Sequence, residues 1–348
     1  MDFHRIAEKF SNFAVYECNG SSELYMKLSL QISNDKDVLK LCHSAREGQP
    51  IPNLLLGAVH YLLLKGVNHP LKEYYPSIVS QPKNDDHLFE VFKDFCFENV
   101  NEIKPILRSK LVQTNEVRRC AYLYPLFCYI HHRTSKPLSL IEIGTSAGLQ
   151  LLWDQYSYSY GDEHIYGNKK SLVHLSSRVR KGSLPDQIIS SLPPVNDRRG
   201  IDLHVSDLTD EEDYQWLKAL IWPEHKERMV IFEHAVTQLK ESPPPLLAGN
   251  GVELLTDLTK EIPAETTICV FHTHVANQMT AVVKEKLIDQ INKIGEQRKV
   301  FHIYNNMEDS MLHVDVVEKG NVEKNIVGET DGHGRWFDWK FTSQNYNY

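Results

Sequence analysis

Leu138 to Tyr156 reads LSLIEIGTSAGLQLLWDQY: an apolar, partly β-branched run, then small residues, then apolar residues at helical spacing. That succession predicts a buried strand, a tight turn and an amphipathic helix. Upstream, as far as about Thr134, apolar residues recur at helical spacing and no strand is expected. Phe3, Ile6, Phe10 and Phe13 mark a first helix, and Leu54 to Leu64 (LLLGAVHYLLL) a core helix too short to span a bilayer. TNEVRRCAYLYPLFCYI predicts a helix starting near Thr114 or Asn115, with Pro125 as a kink or a join.

Downstream of Lys136-Pro137 short β-rich runs alternate with helices. Strands are expected at 138–143, 200–205, 245–248, 266–272, 299–304, 312–318 and 335–341, and helices at 147–156, 211–222, 226–239, 251–260 and 278–296. The last two strands follow one another without a helix and are expected to pair antiparallel. The resulting expectation is an α/β fold: a Rossmann-like, mostly parallel seven-stranded sheet of class I methyltransferase type, with an all-helical N-terminal region. The domains are placed at 1–135 and 136–348, with an insertion of little regular structure at about 157–199.

Two chemistries use a turn of this kind. Glu142-x-Gly144-x-Ser146-x-Gly148 is a variant of the turn with which S-adenosylmethionine-dependent methyltransferases hold their cofactor, Ser146 replacing the middle glycine. Gly144-x-Ser146-x-Gly148 alone is the nucleophile elbow of an α/β-hydrolase. An elbow needs earlier strands to build its oxyanion hole, and Ser146 follows the first strand. The cofactor reading asks for a ribose-binding carboxylate after the second strand, which Asp202 supplies, and a polar residue near the adenine after the third, which Asn250 supplies. Glu142, Gly144, Thr145, Ser146 and Gly148 would then surround the methionine and ribose. A third possibility is that the glycines serve packing alone, and within the cofactor reading the alternative to a methyltransferase is a cofactor-binding or regulatory protein without transfer activity. The G-x-G-x-x-G fingerprint of nicotinamide dinucleotide binding is missing.

Formal charge is −8 with no Lys/Arg-rich run, so nucleic acid is disfavoured as a partner. The six cysteines form no C-x-x-C pair, and the N-terminus lacks the pattern of a signal peptide. Together these features suggest buried reduced thiols in a cytoplasmic protein that does not enter membranes; in the cofactor reading the methyl acceptor would be a small-molecule substrate. Oligomeric state is not legible.

The blocks LLLGAVHYLLL, QTNEVRRC (Gln113 to Cys120), LIEIGTSAGLQLLWDQY, RRGIDLHVSDLTD, WLKALIWPE and HGRWFDW resemble an uncharacterised, mainly bacterial family catalogued as a domain of unknown function. The resemblance spans nearly the whole chain and implies a class I methyltransferase-like core without an assigned reaction. The sequence departs from the family pattern at Asn250, where Asp is usual, and at Val205, where Pro is.

His272 and His274, at i and i+2 on the fourth strand, are expected to share a face; either is a general-base candidate or a histidine hydrogen-bonded beside the sheet. A metal site would need a third ligand such as His333, and none is expected. Gln113, Asn115, Glu116, Arg118 and Arg119 either bind the acceptor or a cofactor carboxylate, or cap and solvate a helix start. His333 and Trp336 complete the substrate-side candidates, with Trp336 either walling the acceptor pocket or joining the core.

Overall fold

In the computed structural model, which describes residues 3–341, every residue of β1 (Leu138–Ile143) is buried. A strand covered on both faces reads as a continuous apolar run, as this one does. Its exceptions are Ser139, whose hydroxyl donates to Thr266 Oγ1 at 2.9 Å, and Glu142, which the site below explains.

The chain divides into two compact units, Met1–Thr114 with Leu208–Val230, and Asn115–Asp207 with Ile231–Tyr348. The division falls at 114/115 instead of near 135, and a later segment returns to the first unit. That unit is helical: Phe3–Asn12, Glu23–Ile32, Lys36–Cys42, Ile51–Leu64, Leu88–Glu98 and Val100–Ser109 precede the returning helix Glu211–Ala219. Ile51–Leu64 is buried almost all round, which is why its sequence lacks a polar face. Gly57 faces Leu220 and Trp216, whose indole Nε1–H donates to the Leu111 carbonyl at 2.8 Å. His60 bridges the Ala219 carbonyl (2.9 Å) and the Ser77 hydroxyl (2.8 Å). Trp222 meets Phe13 edge-on, and the Glu224 carboxylate accepts from the Leu24 N–H and the Ser22 hydroxyl. LLLGAVHYLLL and WLKALIWPE, far apart in sequence, are therefore one core.

The second unit is mixed α/β with a large, mostly parallel sheet. After β1 come β2 (Ser157–Ser159), β3 (Tyr166–Gly167), β4 (His174–Ser176), β5 (Arg178–Lys181), β6 (Val195–Asp202), β7 (Leu246–Ala248), β8 (Thr267–His272), β9 (Val300–Tyr304), β10 (Leu312–Glu318), β11 (Asn321–Glu323), β12 (Ile326–Gly328) and β13 (Trp336–Asp338). The main sheet has the order β11-β10-β9-β8-β1-β6-β7, with β12 also pairing β10. β7, β6, β1, β8 and β9 are mutually parallel; β10 is antiparallel to β9. Helices Gly251–Lys260 and Ala281–Gln297 cover one face, packing Leu255, Leu287 and Ile291 on Ile141, Ile143, Val270 and Val300. In the same unit the Phe127 ring stacks on Trp153 and meets Phe271 edge-on.

Four expectations are corrected here. The predicted strand 335–341 does not pair with 312–318: β13 lies parallel to β5 in a separate two-stranded sheet, while β10 takes its antiparallel partners from β9, β11 and β12. The expected strand at 200–205 is Val195–Asp202, ending where Asp202 accepts the His204 N–H. The helix expected at 147–156 is a 3-10 segment, Leu149–Gln155, broken at Leu152. The stretch 157–199 is more regular than its composition suggests, with β2, β3 and β4 forming a three-stranded sheet.

All six cysteines are buried and unpaired, and among the described residues no helix is long and apolar enough to cross a membrane.

Gly295, in Ala281–Gln297, lies directly on β10: a methyl there would overlap the Val317 side chain and come within 3.1 Å of its carbonyl carbon. Alanine gains about 1 kcal/mol over glycine in a helix. Here G295A is expected to destabilise by about 1–3 kcal/mol through overpacking. Urea unfolding checks this, and the G295A/V317A double variant should cost less than the two singles summed.

Candidate functional site

The chain turns sharply after β1, with Gly144, Ser146 and Gly148 all at positive φ (75°, 53° and 79°). Glycine accepts that backbone freely, whereas serine is strained in it. The turn is held by its own amides. Gly144 and Thr145 N–H donate to the Ile201 carbonyl, Ser146 N–H to Asp202 Oδ2 at 2.8 Å, and Gly148 N–H to the Thr145 carbonyl. Ala147 N–H reaches Asn115 Oδ1 at 3.4 Å, and Asn115 Nδ2–H donates to the Ser146 hydroxyl at 2.9 Å. Ser146 Oγ, the nucleophile of the elbow reading, thus has an amide donor as partner here. Beside Gly144 the space is filled by Val275, and beside Gly148 by Leu246 and Pro244, each within 3.0 Å of where a Cβ would stand. Both glycines are required by the protein's own packing.

Glu142 is buried, and the Thr145 hydroxyl donates to its Oε2 at 2.6 Å. Burial pushes its carboxyl up to about 8 against that hydrogen bond, and nearby Asp202 adds to the rise. Asp202 ends β6 with one oxygen on Ser146 N–H and the other on His204 N–H. Asn250 ends the β7 loop as a helix cap: its Oδ1 accepts Val252 N–H and its Nδ2–H donates to Glu253.

The second block of candidates begins at Asn115. Gln113 lies in the other unit. The helix expected to start near Thr114 or Asn115 instead begins at Cys120, after a 3-10 turn capped by Glu116, which accepts its Arg118 N–H at 3.1 Å. The other Glu116 oxygen meets His333 Nδ1 at 3.2 Å. Arg119 Nε–H donates to the Gly332 carbonyl at 2.9 Å, and Gly334, at φ 71°, packs against the Arg118 carbonyl. QTNEVRRC from Asn115 onward and HGRWFDW are therefore two halves of one structure. The Arg335 side chain pairs with Asp331, whose carboxyl it holds down to about 2 despite burial. Trp336 carries the Arg180 guanidinium on its ring at 3.9 Å and lines an open groove of about 470 Å³ with Ser159, Asp162, Arg178 and Arg335. None of the residues lining it belongs to the turn after β1.

His272 and His274 do not share a face. His272 ends β8 on the side of Val270, wholly buried beneath the helix cover, with its Nε2 at 3.2 Å from His302 Nε2. Burial draws it down to about 3, and Lys284 adds to the fall. His274 has left the strand at φ 63°; its N–H donates to Asn305 Oδ1 at 2.7 Å and its Nδ1 faces Asn306 Nδ2 at 3.3 Å. With Nδ1 accepting, the proton of the neutral ring sits on Nε2, so His274 presents a donor where a general base needs a lone pair. Between these blocks, Thr273 Oγ1 donates to Gln150 Oε1 at 3.0 Å and receives Arg119 at 3.4 Å. Gln150, Thr273 and Asn305 were not singled out from the sequence; their signal was position alone, Thr273 and Asn305 just past strand ends and Gln150 in the 3-10 segment after the turn, without a distinctive residue type. Among the described residues no group of three or more His, Cys, Asp or Glu is placed to hold a metal ion.

Residues 7–339 match the family model described as "Uncharacterized protein conserved in bacteria (DUF2332)". The chain belongs to this family. No match was found among the curated proteins or among the solved structures. In this DUF2332 member the matched span takes in both units and every candidate residue above.

Because folded Glu142 keeps its proton to higher pH than the unfolded chain, it withdraws stability as pH rises from 4.5 toward 8. The slope is up to about 1.4 kcal/mol per pH unit. The buried histidines act oppositely, below their ordinary 6.5; above that value His87, raised by Glu90, also titrates, so the Glu142 contribution is read as the difference between wild type and E142Q. E142Q, which mimics the protonated acid, is expected to flatten the slope between pH 6.5 and 8 in urea titrations. Asn115→Ala is expected to lower stability by about 1–2 kcal/mol through loss of its two turn contacts, measured the same way.

Proposed function

We propose that the protein binds S-adenosylmethionine at the carboxyl ends of β1, β6 and β7 and transfers its methyl group to a small-molecule acceptor. Parallel strands in the order β7-β6-β1-β8-β9, flanked by antiparallel β10, support a class I methyltransferase-type reading of the sheet. In open sheets of this kind, ligands bind outside the carboxyl ends near the point where strand order reverses.

The observation that carries the proposal is Asp202, fixed at the end of the strand beside β1 by Ser146 N–H and His204 N–H, one on each oxygen. An ionised carboxylate oxygen has a second lone pair, so an oriented Asp202 can still accept from ribose hydroxyls. The turn itself favours a nucleoside without phosphate. Its amides from Gly144 to Gly148 bond within the protein, whereas a dinucleotide pyrophosphate requires such N–H groups for itself. In this reading Asn250 shapes the third loop as a cap, and Glu142 supports the turn through Thr145.

Isothermal titration is expected to give saturable heat with S-adenosylmethionine and S-adenosylhomocysteine and none with NAD. Asp202→Ala should weaken both at least tenfold, about 1.4 kcal/mol. Absence of heat and of thermal shift with both ligands at millimolar concentration would overturn the proposal. Labelling of Ser146 by a fluorophosphonate would support the hydrolase reading instead.

A further inference from the structure

Three buried polar atoms make no hydrogen bond of good geometry, Tyr122 OH, Asn305 Nδ2 and His274 Nε2; His274 and Asn305 are joined just past β8 and β9, and Tyr122 lies beside Thr273 and Arg119. Tyr122 and Asn305 are wholly buried. An unsatisfied buried polar group costs about 1–3 kcal/mol, so three in one neighbourhood call for an explanation. All three present hydrogens. Asn305 already uses its Oδ1 on His274 N–H, leaving the amide hydrogens, and His274 carries its proton on Nε2 by the tautomer argument above.

Arg119 adds the charge. It lies one helical step of three residues before Tyr122, is buried, and is braced by the Gly332 carbonyl and Thr273 Oγ1, which is itself held by Gln150. The neighbouring anions are engaged elsewhere: Glu116 with His333, Asp331 with Arg335. Glu142 is kept largely protonated at neutral pH by burial.

We propose that Arg119, Tyr122, His274 and Asn305 form a binding site for a ligand carboxylate. A carboxylate is acceptor-only, offers about four lone-pair directions and suits the planar guanidinium fork. The proposal rests on the cofactor reading only for which molecule carries the carboxylate, the amino-acid end of S-adenosylmethionine or a separate acceptor.

The test is a thermal-shift and calorimetric titration of the full chain with acetate and benzoate, against chloride and inorganic phosphate at matched ionic strength. Saturable stabilisation by the carboxylates beyond both controls is expected. Tyr122→Phe deletes a hydroxyl that makes no hydrogen bond of good geometry and has the Thr273 side chain beside it, so the unliganded protein should change little in stability while carboxylate affinity falls at least tenfold; Arg119→Gln should abolish the response. A response no greater than with chloride, a stronger response to phosphate, or Y122F with unchanged carboxylate affinity would overturn the site. If Y122F weakens S-adenosylhomocysteine but not methylthioadenosine, which lacks the amino-acid end, the carboxylate is the cofactor's. If it weakens benzoate in protein saturated with S-adenosylhomocysteine, the carboxylate belongs to an acceptor. A carboxylate response that persists in D202A, with no heat from S-adenosylmethionine or S-adenosylhomocysteine in the wild-type protein, would sink the cofactor reading and leave this site standing.

Discussion

A strand that ends in a left-handed turn exposes a row of amide hydrogens, and in a buried position each must find an acceptor. Here the acceptors are the Ile201 carbonyl, Asp202, Asn115 and the turn's own Thr145 carbonyl. Satisfying that single turn ties β1 to β6 and to the segment leading into the helix Cys120–Thr134. Val275 and Leu246, filling the spaces that Gly144 and Gly148 leave, bring the segment after β8 and the start of β7 to the same point. The central carboxyl edge of the sheet is thus organised around one solution to a hydrogen-bonding problem.

This changes what the glycine-rich turn means. Positive φ and absent side chains are needed whether or not a ligand is present, because the protein's own side chains occupy the room. Any ligand-binding role therefore falls to the groups around the turn. Asp202 retains accepting capacity, whereas the Asn250 side chain is occupied in capping. The donor-rich end of β8 gives the same edge a second, oppositely polarised neighbourhood.

Much of the sheet was legible because its strands are bounded by turn residues and buried on both faces: β1 has its expected limits, and β8, β9 and β10 lie within a residue or so of theirs. The failures share a physical cause, since local pattern does not report long-range partners. Nothing within RWFDW says that its strand pairs with Arg178–Lys181 instead of β10. Nothing in FHTH says that the chain leaves the strand after His272, turning His274 away from the face predicted for it. Asn115 reads locally as a cap, yet its side chain is held by Ser146, thirty-one residues on. The blocks carrying the family resemblance were sound landmarks for a related reason: they are the pieces that meet, LLLGAVHYLLL with WLKALIWPE and VRRC with HGRW.

The return of Leu208–Val230 to the helical unit also sets an order of assembly. During synthesis the N-terminal helices emerge first, but Trp216, Trp222 and Glu224, which close their core, come only after β1 and β6 have been made. The first unit cannot mature as a vectorially completed domain. It must wait as a partial helical cluster, with the surface around Gly57 and Phe13 still uncovered, while the central strands of its successor are already leaving the ribosome.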